Sequence, residues 1–83
     1  MDDEVNLKRQ INEMPDFVRE ELEKHSLMDR YLSRPPYQRN DYLGWIIRAA
    51  RQETKDKRLA QMIYELEKGD VYMGMEWKKG RNG

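Results

Sequence analysis

The side chains best equipped for chemistry are four cations, Arg48, Arg51, Lys55 and Arg58, gathered with Thr54 around a short break between two apolar helical patterns. Such a cluster can hold phosphates, and two helices joined by a short basic link have the outline of a helix-turn-helix. Against nucleic acid stand a formal net charge of zero, the lack of glycine in the turn, and Glu53 and Asp56 where contacts would begin. Nucleic-acid binding through this face is therefore the alternative reading, behind contact with an unidentified protein. Arg58 stands beside Leu59 at the edge of an apolar stripe, so its methylenes can pack while its head pairs with a carboxylate or carbonyl.

Catalytic chemistry has less to work with. The absence of cysteine removes disulfides, thiolate metal sites and cysteine nucleophiles together, and fits a reducing compartment. His25 is the sole imidazole, with no second histidine and no carboxylate at an obvious metal-ligand spacing, and reads as an ordinary helix-end residue. There is no histidine and carboxylate constellation, no glycine-rich phosphate loop and no nucleophile motif. No catalytic residue, metal site or cofactor is expected, and the chain reads as a non-enzyme.

The elements that must position the basic cluster lie within residues 35–69. Tyr42, Trp45, Ile46 and Ala49 fall at i, i+3, i+4 and i+7, one face of a helix, with Gln38, Asp41 and Arg48 opposite. Leu43 and Ile47 widen that face, so the helix should be contacted on more than one side, with Trp45 buried at the centre of the core. Leu59, Met62, Ile63 and Leu66 repeat the pattern in a second helix, which Lys68 and Gly69 should stop. The short link makes the two helices sequential neighbours, antiparallel or steeply crossed.

Eighty-three residues make one domain of modest stability. Charged residues are 39% and hydrophobic ones 37%, the latter in periodic clusters, which predicts a folded chain. Residues 1–23 carry eight acids against Lys8, Arg9 and Arg19, whereas residues 34–58 carry seven bases against Asp41, Glu53 and Asp56. Attraction between the ends and solvation of the surface explain this dipole before a basic binding face does. No apolar run approaches the ~18 residues of a membrane span, and the acidic start is the wrong flank for a secretory signal, so a cytoplasmic location is expected.

Residues 1–14 read as a flexible or weakly helical arm, with a faint rhythm in Leu7, Ile11 and Met14. Pro15 suits the first turn of a helix whose apolar side is Phe17, Val18 and Leu22. Ser26 and Asp29 form a capping-box pattern before a short helix over 27–32, and Pro35 and Pro36 force an extended approach and then initiate the next helix. After Gly69 the period changes: Val71, Met73, Met75 and Trp77 alternate with Tyr72, Gly74 and Glu76, an extended arm laid over the bundle with no second strand in view. Trp77 would anchor it, or offer a partner surface with the methionines, and 78–83 would be a flexible tail.

The expected fold is thus all-α, a small bundle of three to five helices built on a C-terminal helical hairpin, with one domain over 15–77. Pro35, Pro36 and Tyr37, Asp41 and Tyr42 with Trp45 and Ile46, then Glu53, Thr54, Arg58 and the run to Gly69 resemble the YdeI-like, OmpD-associated (bacteriocin-protection) family. The resemblance spans roughly 15–77 and implies a compact helical bacterial domain, with a role in stress or bacteriocin protection. It implies no catalytic mechanism. The family often has lysine where this chain has Ala50, proline at Gln52 and arginine at Lys55, which weakens transfer of any function carried by the basic cluster. The candidate binding residues are Arg48, Arg51, Thr54, Lys55, Arg58 and Trp77; no membrane span is expected, and the chain should be a monomer or weak dimer.

Overall fold

The computed structural model describes residues 12–78; most of the N-terminal arm read over 1–14, its residues 1–11, and residues 79–83 of the tail read over 78–83 lie outside the described residues. Among the described residues there are four helices, α1 (Asp16–Lys24), α2 (Met28–Leu32), α3 (Pro36–Ile47) and α4 (Gln52–Lys68). Two short strands follow, β1 (Val71–Tyr72) and β2 (Met75–Glu76). No helix among them is long and apolar enough to cross a membrane.

The core lies where α4 meets the other three helices. The expected α4 stripe of Leu59, Met62, Ile63 and Leu66 is buried throughout, against Val18 and Leu22 of α1, Tyr31 of α2, and Tyr42, Leu43 and Ile46 of α3. Two expectations for α3 are corrected. Tyr42, fully buried, holds the central place assigned to Trp45, which is only half-buried at the margin. Gln38, placed on the polar side, is completely buried because its amide sits between the Arg34 guanidinium and the Tyr37 hydroxyl. Leu43 is buried as expected, while Ile47 remains exposed.

The ends of the helices follow the chemistry of their residues. Pro35 caps α3 and Pro36 takes its first position, where a missing N–H costs nothing. Ser26 does not open α2; it closes α1. Its φ of 58° is left-handed, its N–H donates to the Glu23 carbonyl (3.1 Å), and the Leu27 N–H reaches back to the Leu22 carbonyl (2.8 Å). This is a Schellman closure, completed by burial of Leu22 and Leu27, with serine in the place glycine usually takes. Gly69 stops α4 as expected, at φ 86°.

The described residues are mostly helical, with four helices as expected, but not all-α, and the single extended arm is corrected. Residues 71–76 form an antiparallel β-hairpin, Val71 opposite Glu76 and Tyr72 opposite Met75. Met73 (φ 51°) and Gly74 (φ 79°) both have positive φ, the geometry of the two-residue turn whose twist suits a hairpin. The second strand lay inside the same alternating stretch, beyond a turn signalled only by Gly74. The hairpin packs on α4.

Candidate functional site

The basic cluster surrounds the link from α3 to α4, residues 48–51. Of the last carbonyls of α3, those of Gly44 and Ile46 accept from the N–H groups of Arg48 and Ala49, and side chains of α4 supply those of Trp45 and Ile47. Lys55 Nζ donates to the Ile47 carbonyl (3.0 Å) and to that of Ala49, and Arg58 Nη1 donates to the Trp45 carbonyl (2.6 Å). The Arg58 guanidinium also lies 5.3 Å from the centroid of the Trp45 ring, a cation–π contact. Two of the four cations are thereby engaged in joining the helices.

The others differ. Arg51 is exposed and occupies the N-cap position of α4 without a side-chain bond to it, while its carbonyl accepts from the N–H groups of Thr54 (3.1 Å) and Lys55 (3.0 Å). Thr54 is half-buried. Arg48 is exposed, and its guanidinium lies over Gly44 beside the Asn12 amide, so close that a Cβ on Gly44 would come within 2.8 Å of Arg48 Nη1 and 2.9 Å of Asn12 Nδ2. Trp77 stands apart from this group, packed under the Arg34 guanidinium at the opposite end of α4, about 25 Å away along the helix at 1.5 Å per residue.

Two buried charges that the periodic reading did not single out organise this opposite end. Glu65 is 2% exposed. Its Oε1 accepts from the Tyr42 hydroxyl (2.5 Å) and the Met73 N–H (2.8 Å); its Oε2 accepts from the Gly74 N–H (2.8 Å) and Gln61 Nε2 (2.9 Å). Burial pushes the Glu65 carboxyl up, but the bonds from Tyr42, Gln61, Gly74 and Met73 outweigh it and hold the group below its ordinary pKa. With each oxygen accepting twice, this carboxylate fixes the hairpin turn to α4.

Arg34, 4% exposed, clasps the same elements from the other side. Its Nη1 donates to Gln38 Oε1 (3.1 Å), and its Nη2 to the carbonyls of Glu65 (3.1 Å) and Val71 (2.9 Å). Its guanidinium covers the Trp77 ring at 4.6 Å from the centroid. Three tyrosines complete the seam: Tyr72 meets Tyr37 and Tyr42 edge-on, with centroids 6.0 and 5.4 Å apart, and donates its hydroxyl proton to Asp41 Oδ2 (2.8 Å). Burial first, then the bonds to Glu65 and Asp41, push the hydroxyls of Tyr42 and Tyr72 well above the ordinary tyrosine range. The only hints in the sequence were a charge inside the α4 pattern and an arginine before two prolines.

His25 ends α1 and places Nε2 3.2 Å from Glu21 Oε1, beside a surface groove between α1 and α4. No group of three or more metal-ligating side chains occurs among the described residues. On the face formed by α4 and the hairpin, a broad shallow depression of about 720 Å³ is bordered by Lys57, Gln61, Tyr64 and Val71. Tyr64 is 56% exposed there, and Met75, which follows Gly74 of the depression, is 63% exposed.

No curated protein and no solved structure matches the chain significantly. A family model described as bacteriocin-protection, YdeI or OmpD-associated matches residues 12–69, from the asparagine bonded to Asn40 to the glycine that closes α4. The match takes in all four helices with Arg34, Glu65 and the basic link, and the chain belongs to this YdeI/OmpD-associated bacteriocin-protection family.

Proposed function

We propose that the chain is a small non-enzymatic domain of the bacterial cytoplasm that acts by contact with another protein in stress or bacteriocin protection. The observation that carries this reading is the face of α4 and the hairpin, where Tyr64 and Met75 stand exposed beside a depression too open to enclose a small molecule. An aromatic and a methionine on a shallow surface are the residue types that protein interfaces favour. Family membership supplies the setting. The saturated bonding of Glu65 supports the non-enzymatic part. Of the four cations on which nucleic-acid binding would rest, Lys55 and Arg58 are spent on carbonyls of α3, which favours a protein partner.

The test places a photo-crosslinking residue at Tyr64, with exposed Glu20 of α1 as the control position, in a bacterium exposed to a bacteriocin. A discrete protein adduct from position 64 alone, together with loss of protection in a folded Tyr64→Ala/Met75→Ala variant, is the expected result. Protection unchanged in that variant, or adducts to nucleic acid only, would defeat the proposal.

A further inference from the structure

Arg34 is a buried cation with no carboxylate in direct contact among the described residues; the buried Glu65 carboxylate faces it only across the Tyr42 hydroxyl. All three acceptors of its N–H groups are neutral oxygens, those of Gln38, Glu65 and Val71, and no carboxylate pairs with it among the described residues. A guanidinium carries five N–H donors, so two remain without an acceptor among the described residues. The negative end of α4 offsets part of the charge, yet a desolvated ion is ordinarily retained only where its pairing is complete.

Arg34 also lines a cavity of about 300 Å³ at the C-terminal end of α4, and the rest of that wall is cationic too. Arg30 directs Nη1 to the carbonyls of Leu66 (3.3 Å) and Glu67 (2.8 Å), and its Nε and Nη2 donors have no partner among the described residues. Lys68 has no hydrogen-bond or ion-pair partner among the described residues and lines the same cavity. No acidic side chain stands in this wall, and the half-buried Trp77 adds a flat apolar surface.

We propose that this cavity is a binding site for a phosphate monoester carrying a small planar or apolar group. Three positive charges exceed what one carboxylate can answer, whereas a monoester dianion brings close to two negative charges and three acceptor oxygens near pH 7. The forked donors of Arg30 and Arg34 suit phosphate oxygens, and Lys68 adds a mobile point charge at the rim. Trp77 takes the organic group. The volume stands at the small end for ligand sites and fits a phosphate with one ring. The site lies apart from the Tyr64 and Met75 face, so it stands or falls independently of the proposed protein contact.

Phenyl phosphate, inorganic phosphate and benzoate serve as probes, titrated at constant ionic strength into the Trp45→Phe chain, where Trp77 is the single tryptophan reporter. Saturable change in Trp77 emission is expected with phenyl phosphate, at least about tenfold tighter than with benzoate, a difference of 1.4 kcal/mol. Inorganic phosphate should fall between, since it lacks the group that meets Trp77. Lys68→Met, at a residue without structural bonds, should weaken phenyl phosphate about threefold or more while leaving the melting temperature in place. If Trp45→Phe folds poorly, backbone amide shifts of Lys68 and Gly69 and the Trp77 indole shift in the unaltered chain give the same readout. Absence of saturation by either readout, equal affinity for benzoate, or indifference to Lys68→Met overturns the proposal.

Discussion

Replacing Glu65 tests the polar seam most directly. Glu65→Ala removes the acceptor of four hydrogen bonds, from Tyr42, Gln61, Met73 and Gly74. The donors do not suffer equally. The Tyr42 hydroxyl is fully buried and would be orphaned at a cost of about 1–3 kcal/mol, whereas Gln61 and the turn N–H groups lie near water and lose about 0.5–1.5 kcal/mol each. Relief from burying a carboxylate offsets part of this, leaving an expected net loss of about 2–4 kcal/mol. A chain of 83 residues has a total stability of roughly 4–12 kcal/mol, so the loss should be plain in urea unfolding followed by circular dichroism. Tyr42→Phe alone should cost about 1 kcal/mol, and the double variant should fall short of additivity by about 1–2 kcal/mol, because one bond is removed twice. Amide exchange of Met73 and Gly74 should accelerate in Glu65→Ala. Additive losses within ~0.5 kcal/mol, with turn amides exchanging as before, would refute the account of Glu65 as the anchor of the hairpin.

The pH dependence follows from the same groups: the lowered Glu65 pKa stabilises the fold fully above the unfolded value of ~4.3, and this contribution is lost as pH falls through the folded value. The raised Tyr42 pKa works in the opposite sense, stabilising fully below ~10 and less as pH rises toward its folded value. Glu65→Gln should therefore flatten the acid limb of a plot of melting temperature against pH, and Tyr42→Phe the alkaline limb. Arg58→Ala should cost about 1–2 kcal/mol through loss of the Trp45 carbonyl bond and ring contact, whereas Arg48→Ala should stay under ~0.5 kcal/mol in the same unfolding assay. Ser26→Gly should stabilise by about 1 kcal/mol, since φ 58° strains serine and not glycine; a lower melting temperature would contradict the closure assigned to Ser26. Tyr42→Ala should destabilise by about 3–5 kcal/mol and half-buried Trp45→Ala by about half as much, the reverse of the order read from periodicity alone.

Elements whose burial follows helical spacing were legible in the sequence. Leu59, Met62, Ile63 and Leu66 stand one turn apart with no competing apolar face, so their inward side had a single solution. In α3 the stripe contained both Tyr42 and Trp45, and spacing alone could not decide between them; Arg58, arriving from α4 to cover Trp45, decided it. Arg34, Gln38 and Glu65 were illegible for a related reason. Glu65 and Arg34 take partners 23 to 37 positions away, Tyr42 for Glu65 and Val71 for Arg34, and Gln38, though bonded locally, is buried beside the Arg34 that those distant partners hold in place. The hairpin was hidden because Met73 occupies a left-handed position where asparagine or glycine would have announced a turn. Of the residues chosen for binding, Lys55 and Arg58 have their heads on carbonyls, an outcome foreseen for Arg58 through its place beside Leu59 and not for Lys55.

The two clasps on the hairpin differ in the length of chain each must close. Glu65 takes the N–H groups of Met73 and Gly74 across separations of only 8 and 9 residues, whereas Arg34 reaches the carbonyls of Glu65 and Val71 across 31 and 37. Each doubling of a loop adds about 0.6 kcal/mol of closure entropy, so the longer connection costs roughly 1.2 kcal/mol more before any contact repays it. The hairpin and the second half of α4 therefore form the natural cooperative unit, assembled by local closure, with α2 and the start of α3 joining afterwards. On this account the cavity beside Trp77, walled by Arg34, takes its shape only once that long loop has closed, after the hairpin turn is fixed to α4.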